Sequence, residues 1–169
     1  MGLEIVDVGR SCLSESEVRD VARIEACPEV MVWEEDPIGD PDDLERSVKR
    51  FEEFFRSLVR DDRTCLLARL DGRMVGFLAI GHKPKPERSV GSVSVMVNPT
   101  HQNMGIGTEL LRKGVELSRE RDFSELEIET LEGNAAMRRI AEKTGFHVSG
   151  IAPCKWKEGQ RQVTYQLNL

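Results

Sequence analysis

No apolar stretch in the 169-residue chain approaches the roughly 20 residues that cross a bilayer, which argues against a membrane-spanning protein. Its opening, MGLEIVDVGR, alternates and carries acids, without the basic and apolar regions of a secretory leader. Cysteine is sparse and scattered: Cys12, Cys27, Cys65 and Cys154 form no CxxC pair, so a disulfide framework or a metal site is not expected. An excess of basic charge is also lacking. Lys and Arg number 24 against 30 Asp and Glu, a net of −6, so nothing draws the whole chain to nucleic acid. These absences lead to the expectation of a single cytoplasmic domain over residues 1–169, with no nucleic-acid or membrane partner.

The chain does have apolar residues for one core, at 39% of the total, and an uneven distribution of charge. Residues 1–60 hold 16 acidic and 8 basic side chains, whereas residues 61–169 hold 14 and 16. The acids peak in Glu34–Glu45, EEDPIGDPDDLE, where seven carboxylates meet no base.

Local patterns place the elements. Leu3–Val8 reads as a strand, and Ser14 with Glu17 forms a capping box opening a helix that Pro28 ends near Ala26. Asp40, followed by Pro41, is expected to cap a second helix, with Leu44, Val48, Phe51, Phe55 and Leu58 on one face. Thr64–Leu70 and Arg73–Ile80 form a hairpin about Asp71-Gly72, and KPKPE at 83–87 is a polar loop. Ser89–Val97 is a strand that stops at Asn98-Pro99. A helix over about 105–121, a strand over 124–130, a helix from Asn134 to Lys143 stopped by Gly145, and strands at 146–151 and 162–167 complete the chain. The order predicts an α/β (α+β) fold, with a mostly antiparallel sheet of about seven strands flanked by about four helices.

The most informative stretch is Val93–Leu111, VSVMVNPTHQNMGIGTELL. A strand runs through a short loop into a helix start, where unpaired amides and the positive dipole end attract phosphate. Gly105 and Gly107 remove Cβ atoms that would hold a diphosphate away, and Asn103 suits a left-handed turn. Glycines placed there for packing alone would give the same spacing. A dinucleotide-binding fingerprint would need a further glycine where Leu110 stands, and a P-loop would need GK[ST].

Gln102-Asn103-Met104-Gly105-Ile106-Gly107 resembles the [QR]xxGx[GA] motif of the GNAT superfamily of N-acetyltransferases. Val97-Asn98-Pro99 upstream and LEIETLEGNAAMRRIAEKTGF at 126–146 downstream extend the likeness over about residues 64–151. The resemblance implies acetyl-CoA as cosubstrate, no metal, and a pyrophosphate held by the amides of Gln102, Asn103, Met104, Gly105, Ile106, Gly107 and Thr108. It implies a strand 89–97 that bulges and splays from the strand 124–130, leaving Met96 and Val97 to pair with the pantetheine arm. The Val97 amide would face the thioester carbonyl as an oxyanion donor, and Asn134 would bond the arm or merely cap its helix.

Acetyl transfer requires a neutral amine, and a lysine-like nitrogen with pKa of about 10.4 is neutral in only about one molecule in a few thousand at pH 7. A carboxylate must take the proton. Glu125, Glu127 and Glu129 share one strand face, which would also serve as a solvated surface; Glu129, nearest the strand's end, is the expected base. His82 and His101 are further candidates. The tyrosine that relatives use as acid corresponds to Ala141, the lone Tyr165 suits packing, and strand 89–97 has no carboxylate. On the acceptor side the resemblance points to the segment holding Trp33, Glu34 and Glu35, which suits a cationic amine such as a polyamine, lysine side chain or protein N-terminus. The expectation is direct attack in a ternary complex; a non-catalytic acyl-CoA sensor is the rival reading, and a homodimer stays open.

Overall fold

A computed structural model describes residues 2–9, 13–35, 37–60, 64–83 and 89–169, with backbone alone at 58–60. Cys12, Asp36, the side chain of Leu58 and the loop residues 84–87 lie outside that description.

Seven strands form one sheet: β1 (Leu3–Asp7), β2 (Thr64–Leu70), β3 (Arg73–Lys83), β4 (Val90–Val97), β5 (Glu125–Leu131), β6 (His147–Pro153) and β7 (Arg161–Asn168). Their order is β1-β2-β3-β4-β5-β7-β6, and every pair is antiparallel except β4–β5. The β2–β3 hairpin turns at Asp71 (φ 50°) and Gly72 (φ 79°), the two positive dihedrals this turn requires.

Among the described residues five α-helices cover the faces, one more than the sequence suggests. The capping box at Ser14 and Glu17 opens α1 (Glu15–Glu25) as expected. Pro28, expected only to stop that helix, instead occupies the first position of a short α2 (Pro28–Met31), where its missing N–H costs nothing. The helix α3 (Leu44–Arg60) is capped by Asp43, whose Oδ1 accepts from the Arg46 amide at 3.0 Å. Asp40, expected in that role, accepts instead from Asp42 N in the preceding turn. A 3₁₀ turn (Pro99–His101) leads to α4 (Ile106–Arg119), and Asn134 caps α5 (Ala135–Lys143).

The sheet separates two apolar cores. On one face α4 and α5 pack Leu110, Leu111, Val115 and Ala141 against Leu78, Ile80, Leu126 and Ile128. On the other, Val21 and Ile24 of α1 and Val48, Phe51 and Phe55 of α3 cover Leu67, Phe77 and Met96. The alternation of β5 therefore sends Leu126 and Ile128 toward α4 and α5, and Glu125, Glu127 and Glu129 toward the side of α1 to α3. Glu125 and Glu127 are buried there while Glu129 is exposed, so only the end of this row is the solvated face it resembles in sequence. Among the described residues, no helix is long and apolar enough to cross a membrane.

The loop after α2 is held very close to the end of α1. A Cβ added to Gly39 would stand 2.4 Å from Glu25 C and O and from Ala26 N, all backbone atoms that cannot yield locally. Gly39→Ala is therefore expected to destabilise the fold by about 1–3 kcal/mol, read as a lower urea midpoint.

Candidate functional site

Strands β4 and β5 pair in parallel only at Val90–Glu125, Gly91–Leu126 and Ser92–Glu127, and then diverge. The expected splay is present without the expected bulge: β4 holds unbroken register with β3 from Val90–Lys83 to Val97–Gly76. Which backbone groups face the gap follows from ladder alternation. Asn98 N donates to Val75 O at 2.8 Å, so the 98–75 and 96–77 pairs exchange hydrogen bonds, while Val97 and Val95 turn their polar groups away from β3. The peptide groups of Met96 are thus taken by β3, and an arm lying in the gap would meet Val95 and Val97 rather than the expected Met96 and Val97. Val97 O already accepts from Gln102 Nε2 at 3.4 Å, which leaves its amide as the group presented to the gap. Across the gap, Glu132 N donates to Arg161 O, and the same alternation turns the peptide groups of Glu129 toward β4.

A cleft runs through this opening. Its walls include Val93 to Val97 of β4, Ile128, Glu129 and Thr130 of β5, and Gln102, Asn103, Gly105, Ile106, Gly107 and Thr108 at the start of α4. Met137 and Ile140 floor it from α5. At the cradle, Asn103 (φ 62°) and Gly105 (φ 82°) turn the chain, and Glu109 N to Gly105 O is the first helical bond. The amides of Ile106, Gly107 and Thr108 precede that bond, so they are available to an anion. Met104, 57% exposed, lies outside the wall. Gly107 also has a packing role, because a Cβ there would stand 2.8 Å from Ile140 Cδ1. Arg139 and Lys143, one turn apart on α5, join this end of the cleft; their sequence context gives no hint of it, because only the packing of α5 beside α4 brings them to the cradle. Asn134 lines the cleft, yet its side chain is already engaged: Oδ1 accepts from Met137 N and Nδ2 donates to Thr130 Oγ1, both at 3.1 Å.

The opposite end is formed by Glu29, Val30, Trp33 and Glu34. Lys157, between β6 and β7, donates to Val32 O at 2.7 Å and pins this segment from outside. The Trp33 ring lies 3.9 Å from where a Gly133 Cβ would be, so it spans toward the β5–α5 turn. Glu35 stays outside the wall. Most of the acidic run that stands out in sequence has other duties. Glu45 pairs with Arg19 at 2.7 Å, Asp40 with Arg46 at 3.4 Å, and Asp43 caps α3.

Glu129, the expected base, stands in the cleft with both oxygens occupied: Oε1 takes Lys83 Nζ, and Oε2 accepts from Gln162 Nε2 at 2.6 Å. Lys83 also reaches Glu127 at 2.6 Å. Burial alone would lower the Lys83 pKa, but the two carboxylates outweigh it and hold the ammonium above its ordinary range. His101 lines the cleft with Nδ1 2.8 Å from Thr100 Oγ1, whereas His82 stacks on Phe123 at 4.6 Å, outside the wall. Tyr165 is wholly buried, its hydroxyl between Arg138 Nε (3.1 Å) and Glu142 Oε1 (3.0 Å). Ala141 is wholly buried as well.

Two carboxyls of this region are perturbed. Burial raises the pKa of Glu34 above the usual carboxylate range. Glu25, at the end of α1, is pushed up to about 8 by burial and then by the charge of Glu34, with Arg50 opposing. Glu25 is not legible as special from sequence, since a glutamate in a charged helix end gives no sign of being 7% exposed.

Comparisons with known proteins agree with this geometry. The profile of the acetyltransferase (GNAT) family matches residues 23–146. Streptothricin acetyltransferase of Streptomyces lavendulae is 30% identical over 91 residues, a stretch covering 54% of this chain and 48% of that relative. The matched stretch is thus about half the length of that curated relative. Among solved structures, the ribosomal-protein-alanine N-acetyltransferase of Brucella melitensis superposes with a TM-score of 0.80 at 23% identity, covering 98% of this chain and 99% of that one. An acetyltransferase-fold protein of Salmonella typhimurium, solved with its cofactor acetyl-CoA, superposes with a TM-score of 0.79 at 17% identity, covering 98% and 93%.

The raised Glu25 pKa carries a stability consequence with a defined sign. The native state keeps a proton that the unfolded chain releases above the ordinary carboxylate range, so stability falls as pH rises toward about 8. Glu25→Gln removes the penalty. Urea midpoints across roughly pH 5 to 9 should show the variant gaining on the wild type with pH, by at least about 1 kcal/mol at the alkaline end.

Proposed function

The chain belongs to the acetyltransferase (GNAT) family, and with it to the acetyl-CoA-dependent N-acetyltransferases; from that premise we propose that it acetylates a primary amine carrying positive charge, by direct attack in a ternary complex. The observation that carries the choice of acceptor is the wall of Glu29, Trp33 and Glu34 facing the strand gap, with Glu34 partly withdrawn from water. An aromatic face beside carboxylates attracts an ammonium group by cation–π contact and by charge, and more strongly where water is reduced. Polyamines, lysine side chains and protein N-termini share this chemistry. The relatives divide over acceptors: one is named for streptothricin and another for a ribosomal-protein alanine. Fold alone does not choose among them.

In this reading the start of α4 holds the pyrophosphate through the amides up to Thr108, with Arg139 and Lys143 adding charge. Val95 and Val97 offer backbone groups to the pantetheine arm, and the Val97 amide points to where the thioester oxygen gains charge. No tyrosine lines the cleft among the described residues, so the proposal has the CoA thiolate leaving without a tyrosine acid; a thiol pKa near about 8.5 makes this feasible. The buried Ala141 also supports a second reading, acyl-CoA binding without turnover.

Thiol release from acetyl-CoA, over a panel of polyamines, lysine peptides, protein N-termini and uncharged amines, tests the acceptor. Cationic amines are expected to turn over in preference, and binding of acetyl-CoA without release for any amine would favour the second reading. The cradle is tested by Thr108→Glu. Glutamate at the third helical position favours the helix start, so the fold should hold while acetyl-CoA affinity drops about tenfold or more from the like charge. Gly107→Glu is the poorer probe, since its effect would mix charge with the clash against Ile140.

A further inference from the structure

The cleft holds a second carboxylate, clear of the lysine contact that engages Glu129. Glu34 lines the acceptor end, half-buried, and no ion pair among the described residues engages it. Beyond it Glu25 is 93% buried by its 7% exposure, and its Oε2 has no hydrogen-bond partner. An orphaned carboxyl oxygen in the interior is costly, and such a group is kept where it acts on something. We propose that Glu34 is the general base for the acceptor amine, and that Glu25, buried with its Oε2 orphaned, is a positioning residue that tunes the basicity of Glu34. This deepens the reading of the chain as an acetyltransferase for cationic amines and rests on it.

Among the described residues, Arg50 of α3 acts on Glu25, and Glu29 of α2 shares the wall with Glu34. From the sheet, the β4 residues on this face carry no charge, while Glu127 and Glu129 of β5 are engaged by Lys83. Gly39 brings its backbone against that of Glu25. Burial and the neighbouring charge of Glu34 both favour the protonated form of Glu25.

In the step itself a proton passes from the bound ammonium to a Glu34 oxygen. The freed nitrogen lone pair forms the C–N bond to the thioester carbonyl carbon, the C–S bond breaks, and sulfur leaves with its electron pair. The remaining excess proton on nitrogen goes to that sulfur, giving amide and CoA thiol, and Glu34 returns its own proton to solvent. Glu129, by contrast, already holds Lys83 on one oxygen and Gln162 on the other.

Two measurements decide the proposal. The first needs no acceptor: the glutamate carboxyls are followed by carbon NMR through a pH titration of the intact protein. In wild type one titrates near 8, and in Glu34→Gln that midpoint should fall by about half a unit or more as its neighbour's charge disappears. An unmoved midpoint overturns the pair. The second uses the amine with the fastest thiol release. Glu34→Gln should lose about 100-fold or more in kcat with unchanged KM for acetyl-CoA, and Glu34→Asp should recover part of it. Glu25→Gln should erase the inflection near pH 8 in the rate profile, which a purely structural role would leave in place. A Glu34→Gln enzyme that keeps pace with wild type, or a Glu129→Gln enzyme that takes the loss instead, overturns the assignment of the base. Failure of amine acetylation as such looks different, because wild type too would release no thiol with any amine.

Discussion

Everything at the site depends on two strands parting. Parallel β4 and β5 share hydrogen bonds for three residues and then separate, which strands polar backbone in the interior of the sheet. Such groups cannot be left without partners for long. On β4 they belong to Val95 and Val97, on β5 to Glu129, and an extended ligand rich in amides supplies what a neighbouring strand would. The gap is kept open by what lies on either side. Gly91 at the pinch admits Leu126, Ile80 and Phe123 so closely that any Cβ would collide, while Ile106, Met137 and Ile140 occupy the floor where the strands diverge.

From the gap outward, the two faces of the sheet assume different chemistry. On the side of α4 and α5 sit free amides, a helix dipole, Arg139 and Lys143, all suited to phosphate. On the side of α1 to α3 sit carboxylates and one indole, suited to a cation. The opening joins them, so in the proposed reaction an anionic donor and a cationic acceptor would approach from opposite faces without competing for the same field. The separation comes from the pleat: neighbouring residues of β4 and β5 belong to different faces.

The carboxylates show how burial sorts groups that look alike in sequence. Of the seven in Glu34–Glu45, Glu45 and Asp40 meet arginines, Asp43 finishes a helix, and Glu34 alone lines the cleft among those described. Glu129 keeps its place at the strand end but is neutralised by Lys83, a residue 46 positions away. Glu25, unremarkable in a helix with other acids, is buried because α3 and the Gly39 loop close over the end of α1. Electrostatic character at each position was therefore set by distant parts of the chain.

Short-range features are legible in the residues alone. The Asp71-Gly72 turn, the capping box of α1, the cap at Asn134, the left-handed Gly145 and the glycine loop before α4 were all readable, since each satisfies its own dihedrals and nearby amides within a few residues. The likeness to a family of acetyltransferases was readable for the same reason, its motif being one loop and one helix start. Pro28 marks the end of α1 as its sequence suggests; that it also begins α2 depends on whether the residues after it can close a helical turn. The tertiary structure alone decided which backbone groups face the gap, which of two adjacent residues can hold an arm, and which glutamate remains without a cation. Register, burial and ion pairing join residues far apart in the chain, and no local pattern records them.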